Sequence, residues 1–286
     1  MDRSSRTARS RVDWLRLGIG LAVLAVLLAL TGYALLTYTF SRQPGSDVAA
    51  YWEAAERLRT GQSLYVAGAA NAPDLYRYAP WFAAAWMPFT LLPRDAVTAA
   101  WIGLMFAAAL ASLVPLLRAG PPGWAALAIF APTQIEGAIY GNVQPLLVLM
   151  LLWGVERRSG PLWIALGASL KAVPLALAIV YAGRGEWRRA ALAVGLTVLL
   201  VAPTLLFDLS GYSVNVGPRQ ESLAGVSAFL FVPVAVAAVA ATWLLARTRF
   251  AWLAGGLAMI LTLPRYLDYQ IGFLLVGLAR RPRSPR

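Results

Sequence analysis

The chain contains no cysteine and no histidine, and charged residues make up only 13% of its 286 positions. The first absence excludes disulfides and thiolate metal sites. The second excludes a histidine general base, so acid–base chemistry falls to 13 carboxylates, the tyrosines and the bases. The bases are 24 arginines and a single lysine, Lys171. A soluble domain carries about 25% charged residues, so roughly half the usual charge is missing. What fills the space is apolar: 59% of residues are hydrophobic and the mean hydropathy is +0.64. That composition excludes a disordered chain and argues against a water-soluble globule. At about 20 apolar residues per span, the length leaves room for eight to ten membrane segments.

The net charge of +12 suggests nucleic acid in a soluble protein. In a membrane protein its distribution comes first, because basic residues concentrate on the cytoplasmic side. A basic tail with Arg3, Arg6, Arg9, Arg11 and Arg16 precedes an apolar run from about Leu17 to Tyr38. That run is too long for a signal-peptide core and no small-residue cleavage pattern follows. It reads as an uncleaved first helix with its N-terminus inside. Long apolar runs follow at 96–117, 190–206 and 224–245. Shorter ones come in pairs, 123–133 with 143–155, 161–170 with 173–183, and 251–263 with 267–279. Eleven α-helical residues reach only about 16 Å, well short of the roughly 30 Å hydrocarbon core.

Each pair is broken by polar, ionisable or proline residues: Glu136, Asn142 and Gln144 in the first, Lys171 and Pro174 in the second, Pro264, Arg265 and Asp268 in the third. If all three pairs are hairpins broken on the outer side, 17 bases and four acids lie inside, and eight bases and nine acids lie outside. The net charge is then +13 inside and −1 outside, as the charge rule requires. Reading any pair as one crossing puts later basic clusters on the wrong face. The expected fold is therefore all-α, a polytopic membrane protein of about ten crossings with both termini cytoplasmic. It consists of a basic tail at 1–16, one transmembrane domain at 17–280 and a second basic tail at 281–286. Broken helices at membrane depth are tolerated where they line a buried or wet cavity, so the three breaks are expected to surround one outward-facing site. The arginine-rich tails suit anionic lipid head groups, and no nucleic-acid partner is expected.

Residues 40–95 form the longest stretch that does not span, and they fall outside. Ser46 or Asp47 can cap a helix running to Gly61. Its apolar positions Ala50, Tyr51, Ala54 and Leu58 make an amphipathic stripe suited to lying flat on the membrane. A second short apolar helix, about 81–92, ends at Pro93.

Two runs here carry a family likeness: DVAAYWEAAERLRTGQSLY (47–65) and YRYAPWFAAAWMPFTLLP (76–93). They resemble the opening signature of glycosyltransferase family 87, polyprenyl-phosphate-sugar-dependent mannosyl- and arabinofuranosyltransferases of the GT-C class. GNVQPLL (141–147) resembles the family's Gly-Gln-x-Asn-x-Leu with Asn and Gln exchanged, and ASLKAVPLAL (168–177) its Lys-x-x-Pro-Leu segment. GEWRRA (185–190) is similar to its basic cytoplasmic turn. LPRYLDYQ (263–270) stands where the family often has Pro-x-x-Trp-x-His; here Tyr266 is near the tryptophan position. The resemblance implies a GT-C-like fold in a bacterial inner membrane and an active site on the outer face. It implies transfer of a mannose-like hexose or arabinofuranose from a polyprenyl-phosphate donor to a lipid or glycan acceptor, with a catalytic acidic residue at Asp47.

Glycoside hydrolysis needs a carboxylic acid to protonate the leaving oxygen, whereas a phosphate leaves as a stabilised anion and needs cations. One carboxylate base plus fixed positive charge therefore suffices. Asp47 is the candidate base; the alternative is a helix cap. Lys171 and Arg265 are candidates for the donor phosphate, since an ionisable residue at membrane depth is a functional-site hypothesis by default. The alternative for Lys171 is an ion pair with Glu136 or Asp268. Glu136, Asn142, Gln144 and Asp268 are candidates for hydrogen bonds to the sugar, or for satisfying the hairpin turns. Tyr76, Arg77 and Tyr78 border the lipid or acceptor path, or serve as interfacial anchors. No acidic cluster has metal-ligand spacing, and no cofactor-binding motif or soluble nucleotide-binding domain is visible, so an inverting, metal-independent transferase is expected. The competing reading is a transporter or lipid flippase, which broken helices and intramembrane charges also fit. A third is an inactive partner of another envelope enzyme.

Overall fold

The computed structural model describes residues 44–68, 75–212, 222–265 and 267–279. The expected first helix, both basic tails and Tyr266 lie outside these residues. The described residues form helices and no strand. They run α1 (Ser46–Arg59), α2 (Pro80–Trp86, continued as a 3-10 turn to Leu91), α3 (Arg94–Leu117) and α4 (Pro121–Ile139). Next come α5 (Gln144–Gly154), α6 (Gly160–Leu170), a 3-10 turn at Val173–Leu177 and α7 (Ala178–Gly183). The rest is α8 (Trp187–Val201, continued as 3-10 to Leu206), α9 (Leu223–Val226), α10 (Ala228–Leu245), α11 (Ala251–Leu261) and a 3-10 segment at Asp268–Leu278.

Among the described residues three helices are long and apolar enough to cross a membrane: Arg94–Leu117, Trp187–Leu206 and Ala228–Leu245. They coincide with the three long apolar runs downstream of residue 40. The short apolar segments pair as antiparallel hairpins. Gly137 lies against Pro145, Gly167 against Pro174, Gly256 against Phe273 and Gly277 against Leu253. Small residues at these crossings let backbones approach closely, a packing that apolar surroundings alone do not drive.

The hairpin turns sort by chemistry. The turns at 140–143 and 171–172 and the residues 262–265 gather at one end of the bundle, where the Lys171 ammonium lies 4.6 Å from the Tyr269 ring centre and a side chain at Gly137 would touch Tyr269. The turns holding Arg118, Arg157-Arg158, Arg184 to Arg189, and Arg247 to Arg249 belong to the opposite end.

At that opposite end a buried ion pair ties the helices together. Glu156 Oε1 lies 3.0 Å from Arg184 Nη1, with side chains 10% and 5% exposed. Trp252 Nε1 donates to the same carboxylate, and the Arg184 guanidinium stacks 4.9 Å from the Trp252 ring centre. Arg184 Nε also donates to Ala246 O at 2.8 Å. Arg189 Nη2 adds bonds to Val155 O and Arg157 O, at 3.0 and 2.7 Å. Removing one partner of such a pair leaves a buried charge, at a cost of about 3–5 kcal/mol. Glu156→Ala is therefore expected to lower the melting temperature in detergent sharply. The Glu156→Ala/Arg184→Ala double variant should lose less than the two single losses added together; strict additivity would mean the pair is not coupled.

Two expectations for the first loop are corrected. The α1 stripe does not rest on a membrane: Val48, Ala50, Tyr51, Ala54 and Ala55 are buried because α2 and its 3-10 extension pack over them. The apolar surface turned outward belongs instead to Phe89, Leu91 and Leu92. Nor is α1 capped by Ser46 or Asp47. Gly45 is the cap residue, in the left-handed region at φ 74°. The Gly45 and Asp47 amides donate to Ile139 O and Tyr140 O, at 2.9 and 3.1 Å. Orphan donors at the start of one helix thus meet orphan acceptors at the end of another, and Asp47 is carried onto the 140–143 turn.

Candidate functional site

The 140–143 turn is held from every side. Gly141 has φ +68° and packs so closely on Val48 and Trp101 that a Cβ there would overlap Val48. Glycine alone adopts this backbone at no steric cost. Trp101 Nε1 donates to Gly141 O at 2.7 Å. Asn142 N donates to Gly137 O at 2.8 Å, and Val143 N lies 3.4 Å from the Tyr51 hydroxyl, which accepts from it. Tyr51 is one turn after Asp47, on the same face of α1, and sits among the rings of Tyr78, Phe82, Trp86 and Trp101.

Fixed in this way, the Asn142 side chain joins the two candidate reactive groups. Its Nδ2 donates to Asp47 Oδ2. Its Oδ1 accepts from Lys171 Nζ at 2.9 Å and from Gln144 N at 2.9 Å. Gln144 Oε1 accepts from the same ammonium at 3.0 Å. Lys171 is therefore held by two neutral amide oxygens and the face of Tyr269. Among the described residues no carboxylate lies within 4.0 Å of it, so the alternative ion pair with Glu136 or Asp268 is not formed. Asp47 is close enough to act on Lys171 through space. An ammonium has three donors and no acceptor, so contacts to neutral oxygens orient the charge without cancelling it.

Beside Asp47 the Tyr51 and Tyr78 hydroxyls lie 3.3 Å apart. Burial, then the neighbouring phenol and the Asp47 carboxylate, holds the Tyr51 hydroxyl well above its ordinary value. Burial and Asp47 do the same for Tyr78. Both remain protonated donors next to a carboxylate.

The other expected residues fall into two groups. Glu136, one turn before Tyr140, and Arg265 and Asp268, at the end of the 262–265 turn and the start of the 3-10 segment, lie on the elements that frame the site. Tyr76 does not face it: its hydroxyl donates to Ala79 O at 2.8 Å and its ring stacks on Tyr65 inside the first-loop core. Arg77 Nη1 lies 3.4 Å from Leu75 O, and its own carbonyl accepts from the Tyr212 hydroxyl. Tyr51, Trp101 and Tyr269 were not among the expected residues. The spacing of Asp47 and Tyr51, four apart on a helix, was the one available signal, and it read equally well as part of an apolar stripe.

A search of curated proteins and a search of solved structures each gave no match. A family model does match: glycosyltransferase family 87, over residues 76–214. The matched segment takes in Tyr76, Arg77, Tyr78, Glu136, Asn142, Gln144 and Lys171, while Asp47, Arg265 and Asp268 lie outside it. The matched segment, just under half of the chain, runs from the Tyr76 loop past α8 and is similar to glycosyltransferase family 87, a likeness that together with the long apolar helices points to a membrane glycosyltransferase.

Proposed function

We propose that the protein transfers a sugar from a polyprenyl-phosphate donor to a hydroxyl of a lipid or glycan acceptor, with Asp47 as general base and Lys171 as the cation for the departing phosphate. The observation that supports this most directly is the link Asp47–Asn142–Lys171, one carboxylate and one ammonium held on opposite ends of a single amide with no direct ion pair between them. Asp47 takes the proton of the acceptor hydroxyl as its oxygen attacks the anomeric carbon. The bond from that carbon to the phosphate oxygen breaks on the opposite face, which inverts the configuration. The polyprenyl phosphate leaves as an anion beside Lys171, where preorganised positive charge stabilises it as it develops. Arg265 joins Lys171 at the phosphate, and Gln144, Glu136 and Asp268 meet the sugar hydroxyls. Tyr78, through Tyr51, borders the acceptor path together with Arg77.

Asn142 has both ends of its amide engaged, so its part is to aim Asp47 and Lys171 rather than to bind sugar. The topology that goes with this reading is ten crossings of a bacterial inner membrane, with both termini cytoplasmic and the three polar turns outside. The test is to incubate purified protein with labelled polyprenyl-phosphate hexoses and pentoses in bacterial lipid extract. A labelled product with release of unlabelled polyprenyl phosphate is expected for one sugar class. Translocation of the intact donor across liposomes without transfer would establish a flippase instead.

A further inference from the structure

Far from the reacting groups, the basic end of the bundle carries a cavity of about 320 Å³ lined by Ala182, Gly183, Gly185, Trp187, Trp243, Leu244 and Arg247. Its walls are two helices long and apolar enough to cross a membrane, α8 at its first residue and α10 at its last turn. Both pack on α7, which forms the floor, and they meet each other at the Trp187 and Trp243 rings, 5.6 Å apart. Tryptophans at the ends of spanning helices mark the level of the head groups.

Arg247 lines the cavity just beyond the end of α10. Its Nε donates to Gly183 O at 3.2 Å, which fixes the guanidinium plane. Its Nη2 lies over Gly185, 3.9 Å from where a Cβ would stand. Among the described residues no carboxylate lies within 4.0 Å of Arg247. The nearest acid in sequence across the cavity, Glu186, is taken by Arg189 at 2.6 Å. Arg188 and Arg249, both exposed, add charge of the same sign. Above the cavity the walls are bare: protein covers only 17% of the apolar window of α8 and 6% of that of α10.

We propose that this cavity is a binding site for one anionic phospholipid, with its phosphate on Arg247, its glycerol region between Trp187 and Trp243, and its acyl chains along α8 and α10. The fork of a guanidinium suits phosphate oxygens, and the bare apolar walls require the chains that a soluble phosphate lacks. The site is separate from the donor site, since it lies among the turns at the opposite end.

The experiment is native mass spectrometry of the full chain released from detergent, titrated with phosphatidylglycerol or phosphatidylcholine. One phosphatidylglycerol molecule should be retained where phosphatidylcholine is not. Arg247→Gln should weaken retention about five-fold, the effect of one basic residue at a membrane surface, and Arg247→Lys should restore most of it. Arg158→Gln removes the same charge at the same end and should change nothing. Trp187→Leu, at a largely exposed residue, should weaken retention of phosphatidylglycerol and serves if Arg247→Gln does not fold. Equal retention of the two lipids, equal losses in Arg247→Gln and Arg158→Gln, or displacement of the lipid by millimolar inorganic phosphate would each overturn the proposal.

Discussion

Asp47→Asn is expected to reduce sugar transfer by about 10²–10⁴-fold, the contribution of a positioned general base, while expression and melting temperature stay at wild-type values. The substitution is chosen to leave the architecture in place. An asparagine at 47 still offers a carbonyl oxygen to Asn142 Nδ2, and the backbone bond from residue 47 to Tyr140 O is untouched. What disappears is an oxygen able to accept the proton of the attacking hydroxyl. Initial rates with saturating donor and acceptor, together with a thermal melt, separate the two effects. Wild-type turnover in the variant would sink the assignment of Asp47, and a collapsed melting curve would show that the carboxylate holds the loop rather than the reaction.

Lys171→Met carries the second large effect, and its signature is a split between substrates. With Lys171 as the proposed cation for the departing phosphate, its loss should lower kcat/KM by about 10²–10³-fold, the range found when one preorganised donor is removed. The loss should show in the donor's KM and in kcat, with the acceptor's KM little changed. The variant also strips the partner from Asn142 Oδ1 and Gln144 Oε1, so some stability will go with it; an unsatisfied buried acceptor costs about 1–3 kcal/mol. Lys171→Arg controls for that by restoring the positive charge. A change confined to the acceptor's KM would count against the phosphate role.

The site was partly legible in the sequence for a simple reason. In a chain this poor in charge, the polar residues that interrupt apolar runs have few places to go. Asn142, Gln144 and Lys171 sit at breaks that hydropathy located, and the structure brings those breaks together through Tyr269. The long helices were legible because their apolar runs match a membrane's thickness. What escaped were contacts between distant segments. Tyr51 and Trp101 stabilise the 140–143 turn from two other helices, and no local pattern distinguishes them from ordinary apolar positions. The α1 stripe was visible as a stripe, but its partner was not, since a membrane surface and the 80–91 segment present the same apolar face. Tyr76 and Tyr78, two residues apart, read alike as interfacial aromatics. Packing separates them, one hydroxyl turned into the loop core and the other toward Tyr51.

The Asp268–Leu278 segment bears on how far a short chain can reach. Its eleven residues are wound as a 3-10 helix, which rises about 2.0 Å per residue and so extends roughly 22 Å. The same residues in α-helical form would stop at about 16 Å. The tighter winding makes a longer rod: Tyr269 touches Lys171 at one end while Gly277 lies against Leu253 near the other. Relaxation of this segment to an α-helix would shorten it by about 5 Å, and one of those two contacts would have to let go. The grip on the lysine is thus coupled to the pitch of a single strand of helix.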